Sequence, residues 1–222
     1  YCLTMFGRIV GELREHLSFT PLGAVSGIII MLIIVLANVP AQFSQATFHT
    51  LHPLHVFFSA LTTTAMFRKY DRRKIWAAVL VGYSGSIGIA SLSDAIIPYL
   101  GGWLLGIGIE SHLPFIETEK IPFIGVETWI AVNSAAAAGI IMGFLKPATK
   151  LSHSGHVLLS TWASLFYFTA FGVFTALSVA QWIPLLALVF VFLFLAVWLP
   201  CCVSDIVFPL LFIRGRLPPG EI

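Results

Sequence analysis

Residues 52–59 read His52-Pro53-Leu54-His55-Val56-Phe57-Phe58-Ser59, and residues 153–160 read His153-Ser154-Gly155-His156-Val157-Leu158-Leu159-Ser160. Both stretches carry His-x-x-His-Val-x-x-Ser, at an offset of 101 residues. The match runs on through Thr63 and Ser164 to Phe67 and Phe168. A second pair follows in each half: Ser93-Asp94-Ala95-Ile96-Ile97-Pro98 resembles Ser204-Asp205-Ile206-Val207-Phe208-Pro209. A third, weaker pair precedes both, with His16-Leu17-Ser18-Phe19 resembling His112-Leu113-Pro114-Phe115. The order of the three matches is the same in each half. Six of the seven histidines fall on paired positions, and only His49 is left over. An internal repeat comes before any local reading because it sets the architecture.

The residues around the repeat define its solvent. Of the 222 residues, 58% are hydrophobic and 10% charged, and the mean hydropathy is +0.95. A soluble domain usually carries about a quarter charged residues. This composition excludes a disordered chain, a nucleic-acid binder and an ordinary cytosolic enzyme, and points to an integral membrane protein. The formal net charge of +2 selects no partner. Cys2, Cys201 and Cys202 make no disulfide framework, since adjacent cysteines rarely pair with each other.

Six apolar stretches are long enough for membrane helices: 21–43, 50–67, 75–100, 123–145, 155–179 and 183–213. About 20 apolar residues cover the hydrocarbon core. The third stretch meets Pro98 and the sixth holds Pro200 and Pro209, so helices three and six are expected to be kinked or broken. Eleven of the 12 Lys and Arg fall on one side of this arrangement, with Lys120 the exception. Arg68, Lys69, Arg72, Arg73 and Lys74 carry most of that bias. The positive-inside rule makes this side cytoplasmic and puts both termini there, in a bacterial-type plasma membrane. Residues 1–17 hold too many charges for a signal peptide, and Met5, Ile9, Leu13 and Leu17 recur at helical spacing. They read as an amphipathic segment on the inner surface.

Each half of the repeat holds three spans, an odd number, so the second copy must be inserted upside down relative to the first. The expected fold is therefore all-α, with six transmembrane helices in a 3+3 inverted repeat. Its parts are the surface segment 1–17, the first unit 18–109, the second unit 110–213 and a cytoplasmic tail 214–222.

The paired residues carry the chemistry. Two histidines three apart share a helix face. With a carboxylate from the next helix they make a ligand set for Zn, Mn, Fe, Co or Ni. Topology predicts an outer cluster of His52, His55, Asp94 and His112, and an inner one of His153, His156, Asp205 and His16. Cys201 and Cys202 approach the Asp205 face, though Cys202 reads rather as a small buried hydrophobe. The alternative for Asp94 and Asp205 is structural: with their Ser neighbours they cap a half-helix before Pro98 and Pro209. Asp in an apolar segment is costly and is a functional hypothesis by default. Ser59 and Ser160 are expected to bond the backbone one turn up. Asn38 and Asn133 are expected to bond across helices, and Gly82, Gly85, Gly88 and Gly139 to allow close helix approach. Glu127 is expected to face the headgroups.

Three functions fit. One is a small secondary transporter that moves a divalent metal cation by alternating access. A second is a membrane-embedded metal-dependent enzyme, which a duplicated site at opposite faces disfavours. A third is a proton-coupled carrier or channel for another small solute. The expected partners are the bilayer, the ion or solute and, for so short a bundle, a second copy as a homodimer.

Overall fold

The computed structural model describes residues 21–34, 36–106, 108–145, 150–172, 179–202 and 208–212. In α6 the side chains are described from Gly155 onward, and in α7 from Ala187 onward except Leu199 and Cys202. The regular structure among the described residues is all helical. Its helices are α1 (Pro21–Ile34), α2 (Ala41–Tyr70), α3 (Ile75–Ser91), α4 (Ile97–Leu104), α5 (Thr128–Leu145), α6 (Lys150–Phe171), α7 (Val179–Cys202) and α8 (Phe208–Leu211).

The first expected span does not run to residue 43. It stops before Asn38, whose φ of 51° places it in the left-handed region. Asn is among the few side chains that tolerate this conformation. Pro40 then caps the start of α2. Asn38 is therefore a turn residue and not a bond between helices. Because α2 begins at Ala41, it is a 30-residue helix, much longer than the 50–67 stretch.

The third helix is continuous from Ile75 to Leu104. It is widened by one π-turn over Leu92–Ile96, where the Ile97 N–H donates to the Leu92 carbonyl. Pro98 supplies the cause. It has no N–H for the carbonyl four residues back, and the extra residue in the turn absorbs the mismatch. The expected break is a bulge, and it turns Ser93 and Asp94 into the interior, both fully buried. In the last helix, α7 runs through Pro200 and α8 holds Pro209. Residues 203–207 between them, with Asp205, lie outside the described residues.

Helix α2 is the hub, packed along α3, α5 and α6. It runs antiparallel to α6: Phe48 near its start meets Tyr167 and Phe171 near the end of α6, while His55 meets His156. Small residues set the close approaches. A Cβ on Gly139 of α5 would collide with the Phe57 carbonyl, and one on Gly143 would stand 2.7 Å from the Leu61 carbonyl. A Cβ on Gly82 would collide with the Thr64 hydroxyl, and Gly85 faces Phe208 and Thr63, but Gly88 meets nothing. Helix α1 lies on α6, where Gly23 faces Thr161 and the Trp162 indole donates to Ser26 at 3.1 Å. At the C-terminal ends of α2 and α5, Arg68 donates to the Phe144 carbonyl at 3.0 Å and lies over its ring.

Apolar side chains point outward from this bundle: Leu22, Ile29 and Ile33 from α1, Trp76 and Leu80 from α3, Ile141 from α5, Val191 from α7. Polar ones point inward: Ser44, His49, His52, His55, Ser59 and Thr63 of α2 are all buried. By length and composition two helices can cross a membrane, Ile75–Leu104 and Thr128–Leu145, with shorter apolar helices at Pro21–Ile34 and Ala187–Trp198. Helices α2 and α6 carry too many inward polar groups to read as apolar.

Candidate metal centre

The centre is built on α2. His52 and His55 lie near its middle, one turn apart, and both are fully buried. Pro53 between them has no N–H for the His49 carbonyl, so the helix ladder is also interrupted here. Asp94, on the π-turn, faces both rings. Its Oδ2 accepts from His52 Nδ1 at 2.9 Å and from His55 Nδ1 at 2.7 Å. Its Oδ1 accepts from the hydroxyls of Ser93 and Ser160, each at 2.7 Å. A carboxylate has about four acceptor sites, so this one is saturated. Ser164 braces the turn by donating to the Ser93 carbonyl at 3.0 Å.

That geometry fixes the rings. Each Nδ1 carries the hydrogen it gives to Asp94, and a neutral imidazole then leaves a lone pair on Nε2. Both Nε2 atoms are buried with no hydrogen-bond partner among the described residues. A buried polar atom without a partner is costly. A carboxylate behind a histidine, with the far nitrogen open, is the arrangement that orients metal-ligating imidazoles. Asp94 was expected as a ligand. Here its two oxygens accept four hydrogen bonds, two of them from the histidine Nδ1 atoms.

The two His pairs were expected at opposite faces, and for the described members this is not where they lie. His55 and His156 stack with ring centroids 5.6 Å apart and 6° between planes. They are equivalent positions of the repeat, and the antiparallel contact of α2 with α6 brings them together. Cys201, near the end of α7, joins them: one ligand atom each of His55, His156 and Cys201 lies within 4.8 Å of the others. All three residues are buried. With Nδ1 bonded to Asp94, Nε2 is the His55 nitrogen left without a hydrogen-bond partner among the described residues. From the sequence, Cys201 was placed near the Asp205 face but not among the expected ligands.

His112 is elsewhere. Its Nδ1 faces Glu117 Oε1 at 3.2 Å, and its ring stacks on Phe171 at 3.9 Å. Ser160 bonds the carboxylate and not its own helix backbone. Asn133 does bond across helices, to Tyr83. Glu127 is drawn to the Trp129 indole at 2.5 Å, away from the centre. His16, Asp205 and the His153 side chain lie outside the described residues.

The His112–Glu117 pair makes a pH prediction. The hydrogen bond that it donates to Glu117 raises the His112 pKa above its ordinary 6.5. Burial opposes ionisation of Glu117, but hydrogen bonds from His112 and the Leu113 N–H outweigh it and hold that carboxyl below 4.5. The His112 contribution to stability is full below pH 6.5 and is lost as pH rises through its raised value. The Glu117 contribution is full above pH 4.5 and is lost as pH falls through its lowered value. The pair therefore stabilises most between pH 4.5 and 6.5. Melting curves of wild type and His112→Gln in detergent should differ most in that window and converge on either side. A constant difference across pH would refute the ion pair.

A scan against family models and searches of curated proteins and of solved structures find no match to this chain.

Proposed function

We propose that the chain is a multi-pass membrane carrier for a divalent transition-metal cation, with one central site shared by both halves of an inverted repeat. The observation that carries this reading is the meeting of His55, His156 and Cys201 at a fully buried point. Two imidazoles and a thiolate suit Zn, Co or Ni better than Mn, which prefers oxygen. Asp94 sets the tautomers of His52 and His55 and adds the negative charge that a buried cation needs.

Three further features support it. The bundle is apolar outside and polar inside, as a protein dissolved in lipid should be. The packing is reciprocal: α5, which opens the second half, lies on α2, and α1, which opens the first, lies on α6. A pseudo-two-fold axis in the membrane plane would produce that exchange and would bring His55 onto His156. Inverted-repeat carriers bind near the midplane, and a site near the middle of α2 is compatible with that. The basic segment 68–74, at the end of α2, is the cytoplasmic end in this reading. Exchange of roles between the halves would then open the site to either side. Asp205 and His153 are the repeat counterparts of Asp94 and His52.

The test is uptake of Zn²⁺ or Co²⁺ into liposomes containing the purified chain and a trapped metal-sensitive dye. Uptake should exceed that of protein-free vesicles and vanish in the His55→Ala/His156→Ala double variant. Flux equal to protein-free vesicles, with no metal bound to the detergent-purified protein, would falsify the carrier reading.

A further inference from the structure

The turn between α2 and α3 gathers cations. Arg68, Lys69, Arg72, Arg73 and Lys74 crowd into this short stretch, and Asp71 is the sole acidic residue between Glu15 and Asp94. The cations are not equivalent. Arg68 is committed to the Phe144 carbonyl and ring. Lys69 lies over the Tyr70 ring at 5.7 Å. Lys74 is paired with Asp71 at 3.0 Å. Asp71 also folds the turn, because its Oδ1 accepts from the Arg73 and Lys74 N–H groups at 3.2 and 3.3 Å. Arg72 and Arg73 are left in the middle of the turn. Both are exposed, and neither guanidinium has a hydrogen bond or ion pair among the described residues.

The surface beside these arginines is apolar. Trp76 is 81% exposed, and Ile75, Leu80 and Tyr83 are exposed with it. Residues 76, 80 and 83 share one face of α3. That face starts at the basic turn and runs along Ile75–Leu104, a helix long and apolar enough to cross a membrane. A tryptophan at the end of a lipid-facing stripe marks the headgroup level. Adjacent guanidiniums at that level meet phosphate, which a guanidinium fork binds through two parallel hydrogen bonds. A basic segment directly beside a membrane helix on the cytoplasmic side is the electrostatic footprint of anionic-lipid recognition. Nucleic acid or an acidic peptide would also engage the charges, but neither accounts for the exposed indole and aliphatic side chains next to them.

We propose that Arg72 and Arg73 bind the phosphate of an anionic phospholipid in the inner leaflet, with Trp76 packed beside its chains. The inference rests on the membrane placement in the reading above and not on metal binding. A zwitterionic headgroup carries a cation next to the same phosphate, and the two arginines repel it, so the surface selects net negative charge. The turn joins the helix that holds His52 and His55 to the one that holds Asp94. A headgroup bound there ties the ends of both helices to the membrane surface and stabilises the folded chain by mass action.

The experiment is thermal unfolding of the full chain in detergent micelles under three conditions. The micelles carry phosphatidylcholine, phosphatidylglycerol with the same acyl chains, or phosphatidylcholine with inorganic phosphate at equal ionic strength. Phosphatidylglycerol should raise the melting temperature of wild type, and inorganic phosphate should not. The apparent affinity, read from the rise against lipid mole fraction, should fall about tenfold or more in Arg72→Gln/Arg73→Gln. It should stay unchanged in Lys120→Gln, which removes an exposed cation from the segment between α4 and α5. Each variant is compared with itself in phosphatidylcholine, so a lower baseline does not hide the result. Where the double variant shows no transition, Arg72→Gln and Arg73→Gln are read singly. An equal rise with phosphatidylcholine, or an undiminished rise in the arginine variants, overturns the lipid site. An equal rise with inorganic phosphate overturns it in favour of a soluble anion. A chain that stays in solution without detergent overturns the membrane placement and the lipid site with it. Absence of metal flux with the lipid preference intact removes the carrier and leaves the lipid site standing.

Discussion

Asp94→Asn should lower the affinity of the protein for Zn²⁺ or Co²⁺ about 10–100-fold while the chain stays folded. The carboxylate accepts four hydrogen bonds, two from histidine Nδ1 atoms and two from serines. An amide keeps one accepting oxygen and presents an NH₂ group in place of the other. That NH₂ group donates, so at least one group that now gives a hydrogen to Asp94 must change its role. Where the amide nitrogen faces the imidazoles, their Nδ1 atoms must become acceptors. Their hydrogen then moves to Nε2, and the lone pair that would bind metal is lost. Where the oxygen faces them, Ser93 and Ser160 must accept from the NH₂ group where they now donate, and the π-turn is held to α6 chiefly by Ser164. Either outcome also weakens a buried polar network, at about 1–3 kcal/mol of stability. Competition titration with a chromogenic chelator reads the affinity, and thermal unfolding of the same sample reads the stability. A lower melting temperature with unchanged affinity would mean that Asp94, His52 and His55 are a structural polar cluster and not a ligand cradle.

The centre was only partly legible beforehand, and the reasons are local. Composition and the His-x-x-His repeat pointed to helices and named the side chains of interest. Periodicity gives the face of a helix a residue occupies, but not its depth. Depth depends on where the helix starts, and α2 was read from residue 50 when it starts at Ala41. Nine residues are about 13 Å of helix. That displacement moved His52 and His55 from the middle of the bundle to its rim, and made two separate sites out of residues that meet. The signal was present in Asn38 and Pro40, a helix stop followed by a helix start. His49 was also readable as a buried residue of α2, since 49, 52 and 55 continue one stripe at three-residue spacing. It was set aside because it had no repeat partner. Cys201 was seen beside the Asp205 face, but helical spacing did not show that it would also stand beside His55 of the other half. Asp94 was expected as a ligand, and spacing does not tell a ligand from a group that orients one. Only the count of its hydrogen bonds does.

Cys201 makes the second large prediction because it is the asymmetric member of the centre. Cys201→Ser replaces a soft sulfur with a harder oxygen at nearly constant size. Soft metals prefer sulfur and Mn²⁺ prefers oxygen, so the preference for Cd²⁺ over Mn²⁺ should fall by about tenfold or more, equivalent to about 1.4 kcal/mol. Cys201→Ala removes the ligand outright and should weaken binding of every ion tested, since His55 and His156 then stand alone. The competing account is packing, for Cys201 shares an apolar cluster with Val157 and Val197. Packing predicts the reverse order of damage. Alanine would be tolerated, serine would introduce a polar hydroxyl among apolar neighbours, and neither would change the order of metal preference. Ion-competition curves for the three proteins separate these accounts. A serine variant with a changed metal preference and a near-normal melting temperature assigns Cys201 to the ion. A serine variant that is destabilised, with its preference intact, returns Cys201 to the core and leaves the two stacked histidines as the whole of the site.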